Sequence, residues 1–144
     1  MFELDPRLSA DTYFVGSTAL SSVLLMNDAR YPWLILVPER QSVTEAFDLL
    51  EADQAALWQE SMRLGAFMKR HFRADKLNIA SLGNQVAQLH IHHIVRFHHD
   101  LAWPGPVWGI GVAVPYAEAE AERCLSALRE ALAHELPLLS PIQS

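Results

Sequence analysis

Several residue types that mark particular protein classes are scarce in this chain of 144 residues. Its one cysteine, Cys124, excludes an intramolecular disulfide framework and a metal site built from several cysteines. Its 11 Lys and Arg against 17 Asp and Glu give a formal net charge of -6. We therefore expect no nucleic-acid partner, because binding one requires clustered basic residues that neutralise its phosphates. The chain is nevertheless 51% apolar, which indicates a folded domain and excludes a disordered chain.

Long hydrophobic runs are absent as well. The most apolar stretch, Pro32 to Pro38, is far shorter than the roughly 20 residues that span a bilayer, so we expect no membrane partner. The N-terminal residues Met1 to Gly16 lack the basic start and the apolar run of a signal peptide. We therefore expect a cytoplasmic protein that forms a single domain over residues 1–144.

The first third of the chain is predicted to form strands. The apolar runs Ser22–Met26 and Trp33–Val37 are bracketed by Asn, Asp and Pro, which favours a β-hairpin whose turn spans Asn27 to Tyr31. Further strands are predicted at Tyr13–Val15, Leu77–Ser81 and Ala87–Phe97. The pair Gly83-Asn84 is a candidate two-residue turn between the last two strands.

Helices are predicted between and after these strands. Ser42 and Glu45 have the spacing of a capping box, and Asp53 is a candidate cap for a longer helix that ends near His71. One face of that helix is mostly apolar and carries Leu57, Ser61, Leu64 and Met68. The final helix is predicted to bury Ala121, Leu125, Leu128, Leu132 and Leu136.

Histidines are concentrated in one predicted strand. Five of the seven histidines of the chain fall between His90 and His99. Because side chains alternate along a strand, Gln88, His90 and His92 are predicted to share one face, while His93 lies on the other face with apolar neighbours. A strand that is apolar on one face and carries histidines on the other is a platform for a functional site.

The segment Gly83–Arg96, with the sequence GNQVAQLHIHHIVR, resembles the signature of the histidine triad (HIT) superfamily. That signature has a Gly, a polar residue, a Val and then three histidines that alternate with apolar residues. The order of a hairpin, a long helix, the strand at Leu77–Ala80 and the motif strand is similar too, so the resemblance extends over roughly residues 13–96. The Gln at the first triad position and the later stretch WPGPVWG are similar to a bacterial subgroup.

The resemblance implies an α+β fold, with an antiparallel sheet of about five strands, packed helices, and a C-terminal loop and helix beyond the core. It also implies a homodimer that continues the sheet between subunits. The implied activity is that of a nucleotide hydrolase or nucleotidyl transferase. Such an enzyme acts at the α-phosphorus of a nucleoside phosphoanhydride, phosphoramidate or dinucleoside polyphosphate. Neither a cofactor nor a metal ion is implied.

The resemblance also implies roles for individual residues. His90 takes the place of the nucleophile, whose imidazole attacks phosphorus and forms a phosphohistidine intermediate. His92 takes the third triad position and helps to arrange His90 and the phosphate. Gln88 replaces the first triad histidine, and its amide donates a hydrogen bond to phosphate but transfers no proton. Asn84, the polar residue after the motif glycine, is a candidate phosphate donor.

Two further positions matter for the expected function. Asn27, at the hairpin turn, lies about where the family places a polar residue that binds ribose, and Trp33 stands where a further histidine is usual. These replaced histidines leave open a non-catalytic nucleotide-binding module. A metalloenzyme is the other alternative, because imidazoles spaced like His90 and His92 bind Zn and Fe, although no Asp or Glu follows them until Asp100.

Other reactive side chains are expected to be structural. His93 faces away from the site and is predicted to pack internally or to lie on the surface, and His98 and His99 are predicted to lie in an exposed loop. Cys124 is predicted to lie in the core, on the apolar side of the last helix.

Overall fold

The computed structural model describes residues 1–138 and shows an α+β fold. The helices are α1 (Pro6–Asp11), α2 (Glu51–His71) and α3 (Glu118–Glu135), with a short 3-10 helix at Ala46–Asp48. The strands are β1 (Thr12–Ser17), β2 (Ser21–Met26), β3 (Trp33–Pro38), β4 (Lys76–Ser81) and β5 (Ile91–Arg96). The predicted α+β class is therefore confirmed.

The five strands form one antiparallel sheet in the order β1-β2-β3-β5-β4. The predicted hairpin is confirmed, because β2 pairs with β3 and Leu24 lies opposite Ile35. On its other side β3 pairs with β5, which places Ile35 opposite His92 and Trp33 opposite Ile94. The histidine-rich strand therefore lies inside the sheet and borders the hairpin.

The two faces of the sheet have different coverings. On one face, which we call the helix face, α2 packs on β4 and β5 and α3 packs on β1. The core on this face includes Val23, Leu34, Leu64, Val95 and Leu128, all essentially buried. The opposite face, the site face, carries a second buried cluster. Its members are Leu8, Leu24, Tyr31, Trp33, Ile35, Val37, Ile94 and Val107.

The motif strand is shorter than the sequence pattern predicts. The prediction was Ala87–Phe97, whereas β5 begins only at Ile91, and residues 82–90 form a loop. The prediction of a two-residue turn at Gly83-Asn84 is therefore wrong. The backbone doubles back closely at Gly83, where an added Cβ would lie 2.8 Å from the Val86 carbonyl oxygen. The Leu89 amide then bonds to the Val43 carbonyl rather than to a neighbouring strand.

The helix starts also differ from the predicted caps. The capping box forms between Glu45 and Asp48 around the 3-10 helix, not between Ser42 and Glu45. Helix α2 begins at Glu51, before the predicted cap Asp53, whose carboxylate is instead bonded to Arg40. The predicted apolar face is confirmed, because Leu57, Ser61, Leu64 and Met68 are all buried.

Helix α3 largely follows its predicted face. Ala121, Leu128 and Leu132 are buried along it, and Leu136 is buried just beyond its end. Leu125 is only half-buried. Among residues 1–138, no helix is both long enough and apolar enough to cross a bilayer.

Candidate functional site

His90 is the last residue of the loop before β5 and is 5% exposed. Its Nδ1 lies 2.7 Å from the backbone carbonyl oxygen of Gln88. Because a carbonyl oxygen only accepts, the Nδ1 of His90 carries the proton and donates. In the neutral ring this leaves a lone pair on Nε2, for which the described residues supply no hydrogen-bond partner. The loop therefore holds His90 in the tautomer of a nucleophile or base.

Two cavities meet at His90. A polar cavity of about 380 Å³ is lined by Thr44, Glu45, Ser81, Gly83, Asn84, Ala87, Gln88, Leu89 and His90. A more apolar cavity of about 340 Å³ is lined by Leu8, Asp11, Met26, Trp33, Leu82, Asn84, Gln85, Val86, His90, His92 and Trp108. His90 and Asn84 line both cavities, so a ligand that fills both passes directly in front of them.

His92 is held by an indole. The Nε1–H of Trp33 donates to Nδ1 of His92 at 3.0 Å, and an indole nitrogen has no acceptor capacity. The neutral His92 ring therefore carries its own proton on Nε2. Burial lowers the pKa of His92 from its ordinary 6.5 to about 4, and the neighbouring His90 acts in the same direction. A hydrogen bond to the Leu82 backbone acts in the opposite direction, but burial prevails and His92 is neutral at pH 7.

Aromatic rings surround His92 on the site face. Its ring centroid lies 5.6 Å from that of Trp33, 5.1 Å from that of Trp108 and 4.8 Å from that of His90, each in an edge-on arrangement. Trp33, which stands where a further histidine is usual in the family, lines the apolar cavity. Trp108 was not predicted as a site residue. The WPGPVWG composition, with two tryptophans in a loop, was the available signal.

A buried ion pair fixes the loop that carries Trp108. The guanidinium of Arg96 is 1% exposed and bonds bidentately to Asp100, at 2.9 and 3.0 Å, and to the Gly105 carbonyl at 2.7 Å. Burial alone would raise the pKa of Asp100, but the hydrogen bonds from Arg96 and from the Phe97 amide hold it below its ordinary value. The WPGPVWG loop is therefore tied to the end of β5.

Gln88 lies outside the strand, and its side chain is engaged with the N-terminal segment. Its Oε1 accepts from the Asp5 amide at 2.8 Å and its Nε2 donates to the Glu3 carbonyl at 2.8 Å. Gln88, His90 and His92 were predicted to share one face of a strand, but only His92 lies in a strand, because Gln88 and His90 precede β5. Gln88, Asn84 and His90 are nevertheless brought together around the polar cavity.

Asn27 has a different environment from the other candidates. It lines neither cavity, and its Oδ1 accepts from the Tyr116 amide at 2.8 Å. Its side chain thus holds the segment before α3 against the hairpin turn. Ribose binding by Asn27 stays a prediction. Leu8 and Asp11 of α1 line the apolar cavity instead, and sequence reasoning did not identify them because nothing in the N-terminal residues marks a site.

The remaining reactive side chains lie away from both cavities. His93 is fully buried on the helix face, with Nε2 2.7 Å from Ser61 Oγ, and burial lowers its pKa to about 4. His98 and His99 are exposed, as predicted. Cys124 is half-buried against the helix-face core. Across the described part of the chain, no group of three or more His, Cys, Asp or Glu side chains is arranged to hold a metal ion.

Comparison with known proteins agrees with this fold. The chain is 46% identical to a histidine triad protein from Marinobacter aquaeolei, with a TM-score of 0.91 over 94% of this chain and 98% of that one. It is 45% identical to a histidine triad protein from Sinorhizobium meliloti, with a TM-score of 0.88 over 92% and 98% of the two chains. It is also 45% identical to one from Bradyrhizobium japonicum, with a TM-score of 0.87 over 90% and 97%.

No curated protein sequence matches the chain. A family model does match it: the HIT domain model aligns with residues 7–99, which include His90, His92 and the β2–β3 hairpin. This match spans more than half of the chain and contains the complete motif segment. The protein therefore belongs to the HIT domain family.

Proposed function

We propose that the protein is a nucleotide hydrolase or nucleotidyl transferase that acts at an α-phosphorus through a phosphohistidine at His90. Membership of the HIT domain family supports a nucleotide-binding or hydrolase-type function. The substrate class we propose comprises nucleoside phosphoanhydrides, phosphoramidates and dinucleoside polyphosphates.

The observation that carries the proposal is the position and tautomer of His90. Its proton is held on Nδ1 by the Gln88 carbonyl, so Nε2 keeps the lone pair that attacks phosphorus. His90 also lies where the apolar and the polar cavity meet. An apolar cavity walled by Trp33 and Trp108 suits a base and sugar, and a polar one suits a leaving group. The scissile phosphorus then lies between them, in front of His90.

The reaction has two displacements. In the first, the Nε2 lone pair of His90 forms a bond to phosphorus, and the bond from phosphorus to the leaving oxygen or nitrogen breaks with its electron pair. A phosphate leaving group departs as an anion, and an amine leaving group departs as a neutral amine because its nitrogen is protonated before the bond breaks. In the second, water attacks the phosphorus and loses a proton to the solvent, the bond from phosphorus to Nε2 breaks with its electron pair returning to the ring, and the nucleoside monophosphate leaves with His90 restored. An alcohol or amine in place of water gives transfer.

His92 is held beside His90 in this scheme, by the Trp33 indole on Nδ1 and by a hydrogen bond to the Leu82 backbone. Its neutral ring is a poor acid for a leaving group. Its low pKa therefore favours substrates whose leaving group is already stable as an anion or already protonated. The Asn84 amide, which borders both cavities, is the candidate phosphate donor.

A covalent adduct tests the proposal. The protein is mixed with a panel of nucleoside phosphoramidates and dinucleoside polyphosphates, quenched within milliseconds to seconds, and its intact mass is measured. The expected result is a mass increase of one nucleotidyl group, absent from His90→Ala, together with release of nucleoside monophosphate. Binding of nucleoside monophosphate without turnover of any substrate would instead show the non-catalytic nucleotide-binding module.

We also propose that the active protein is a homodimer. In the sheet formed by residues 1–138, strand β4 lies at an edge, and its Ile79 is 40% exposed. Trp58 and Met62 of α2 are exposed as well. They lie on the same side of the helix as Gly65, and Gly65 lies against the Ile79 side chain. An apolar strip beside an unpaired strand edge suits a second copy that extends the sheet. Sedimentation equilibrium should give twice the chain mass for the wild type and the mass of one chain for Ile79→Glu.

The cytoplasmic location stays a prediction.

A further inference from the structure

The amide of Gln88 makes two hydrogen bonds to one remote backbone segment. Its Oε1 accepts from the Asp5 amide and its Nε2 donates to the Glu3 carbonyl, both at 2.8 Å. The side chain thus uses a donor and an acceptor together, as a neighbouring strand would. These contacts cross more than 80 positions of sequence, with separations of 83 and 85 residues. The N-terminal segment is therefore held at this loop by tertiary contacts.

The segment held by Gln88 forms part of a cavity wall. Asp5 caps α1 by accepting from the Arg7 amide at 2.8 Å, and the Arg7 guanidinium donates to the Gln85 carbonyl at 2.9 Å. Helix α1 therefore has a fixed start and a second tie to the loop at residues 82–90. From this helix, Leu8 and Asp11 line the apolar cavity together with His92. Leu8 is 4% exposed and packs in the site-face cluster.

We infer that Gln88 is a positioning residue: its amide ties the N-terminal segment to the histidine motif and so keeps Leu8 and Asp11 in the wall that receives the nucleoside. This inference rests on the proposed function, because the wall matters to catalysis only if the apolar cavity takes substrate. It assigns Gln88 a role that differs from the expected donation to phosphate. The N-terminal segment becomes a specificity-determining part of the site.

The two functional groups of Gln88 are separable. Its backbone carbonyl sets the tautomer of His90, whereas its side chain holds the N-terminal segment. Gln88→Ala removes the second function and keeps the first. Since a wall contacts the nucleoside in the ground state and in the transition state alike, its loss raises KM and leaves kcat nearly unchanged. A donor to the transferring phosphate would instead be felt in kcat.

A double-mutant cycle tests the inference. The four proteins are the wild type, Gln88→Ala, a chain lacking residues 2–5, and the combination. We expect each single change to lower kcat/KM about tenfold, as for one or two lost neutral hydrogen bonds, mostly through KM. The combination should be no worse than either single change. A further tenfold loss in the combination, or a loss in kcat alone, would show that Gln88 contacts substrate directly and would overturn the inference.

A second measurement covers the case in which the shortened chain folds poorly. Amide hydrogen exchange over residues 3–11 is compared in the full-length wild type, Gln88→Ala and Gln41→Ala. Gln41 is the matched control, because its Oε1 accepts from the N-terminal amine at 3.2 Å, outside both cavities. Exchange should accelerate only in Gln88→Ala. Unchanged exchange in Gln88→Ala would overturn the inference.

These readouts separate the inference from the proposed function. If the wild type turns over none of the panel substrates, the proposed function fails, and the cycle is then measured with the dissociation constant of a nucleoside monophosphate. If the wild type is active and His90→Ala is not, but Gln88→Ala has kcat/KM and exchange like the wild type, the proposed function stands and the inference fails.

Discussion

His92 and His93 are neighbours on β5, yet they belong to two different environments. His92 lies on the site face, where it accepts from the Trp33 indole and borders a cavity of about 340 Å³. His93 lies on the helix face, where it is fully buried and bonded to Ser61 of α2. Both rings have a pKa of about 4, chiefly because of burial.

The comparison shows that a perturbed pKa does not by itself identify a functional histidine. Desolvation disfavours the charged imidazole equally in a core and in a site. What distinguishes His92 is its surroundings. It borders a cavity, its ring lies 4.8 Å from that of a second histidine, and it accepts a hydrogen bond from the Trp33 indole. The face of the sheet, and not the chemistry of the ring, separates the two roles.

The largest expected effect is that of His90→Ala on turnover. Because the covalent path needs the His90 lone pair, kcat/KM should fall by about a thousandfold or more. The unfolding free energy should fall by about 1–2 kcal/mol, since the ring loses one hydrogen bond to a loop carbonyl and its edge-on contact with His92. Steady-state kinetics and urea unfolding measure both quantities. Near-normal turnover would contradict the role of His90 as nucleophile.

His92→Ala should have the next largest effect on turnover. It removes the ring beside His90 and leaves the Trp33 indole N–H without its partner, so kcat/KM should fall about 10- to 100-fold. Kinetics on the same substrate as for His90→Ala gives the comparison. A loss equal to that of His90→Ala would mean that His92 takes part in the covalent step itself.

His93→Ala should show the opposite pattern. It removes a fully buried ring and leaves Ser61 unpaired in the core, so the unfolding free energy should fall by roughly 2–4 kcal/mol. Turnover per folded molecule should stay within about twofold, since the ring lies on the helix face. A kinetic defect like that of His90→Ala would show that the division between the two faces is wrong.

The pH dependence of stability sharpens the same comparison. The pKa of His93 is about 4 in the folded chain and 6.5 ordinarily, so the unfolded chain binds more protons between these values and stability is lost as the pH falls. From pH 7 to pH 5 this single group should cost about 2 kcal/mol. His93→Gln keeps a hydrogen-bond partner for Ser61 but does not titrate. Between pH 7 and pH 5 the unfolding free energy of this variant should therefore fall by about 2 kcal/mol less than that of the wild type. His92 remains in both proteins, so its contribution cancels.

The smallest effect is expected for Trp33→Phe. The aromatic wall stays, but the hydrogen bond that sets the tautomer of His92 is lost, so kcat/KM should fall about fivefold, the equivalent of one neutral hydrogen bond. Leu34, beside it on the helix face, has no contact with either cavity, and Leu34→Ile is the matched control that should keep kcat/KM unchanged. Equal kinetics of Trp33→Phe and the control would contradict the role of this bond.

Much of the fold was predictable because its signals are local. The hairpin was marked by apolar runs bracketed by Asn, Asp and Pro, and α2 by the 3.6-residue spacing of Leu57, Leu64 and Met68. The motif strand was predicted too long, because the residues before Ile91 keep an alternating pattern although their backbone bonds elsewhere. Periodicity reports which side chains alternate and not which backbone groups pair.

By itself, the sequence determined the α+β class, the hairpin, the long helices and the presence of His90 and His92 in one short motif. The hairpin, the helices and the motif depend on residues close together in the chain, and the class was implied by the family resemblance of the motif and of the element order. Only the tertiary structure decided the partners: Trp33 for His92 across 59 residues, and the N-terminal backbone for Gln88 across 83. A side chain carries its hydrogen-bonding capacity in the sequence, but which donor or acceptor satisfies it depends on how distant segments pack.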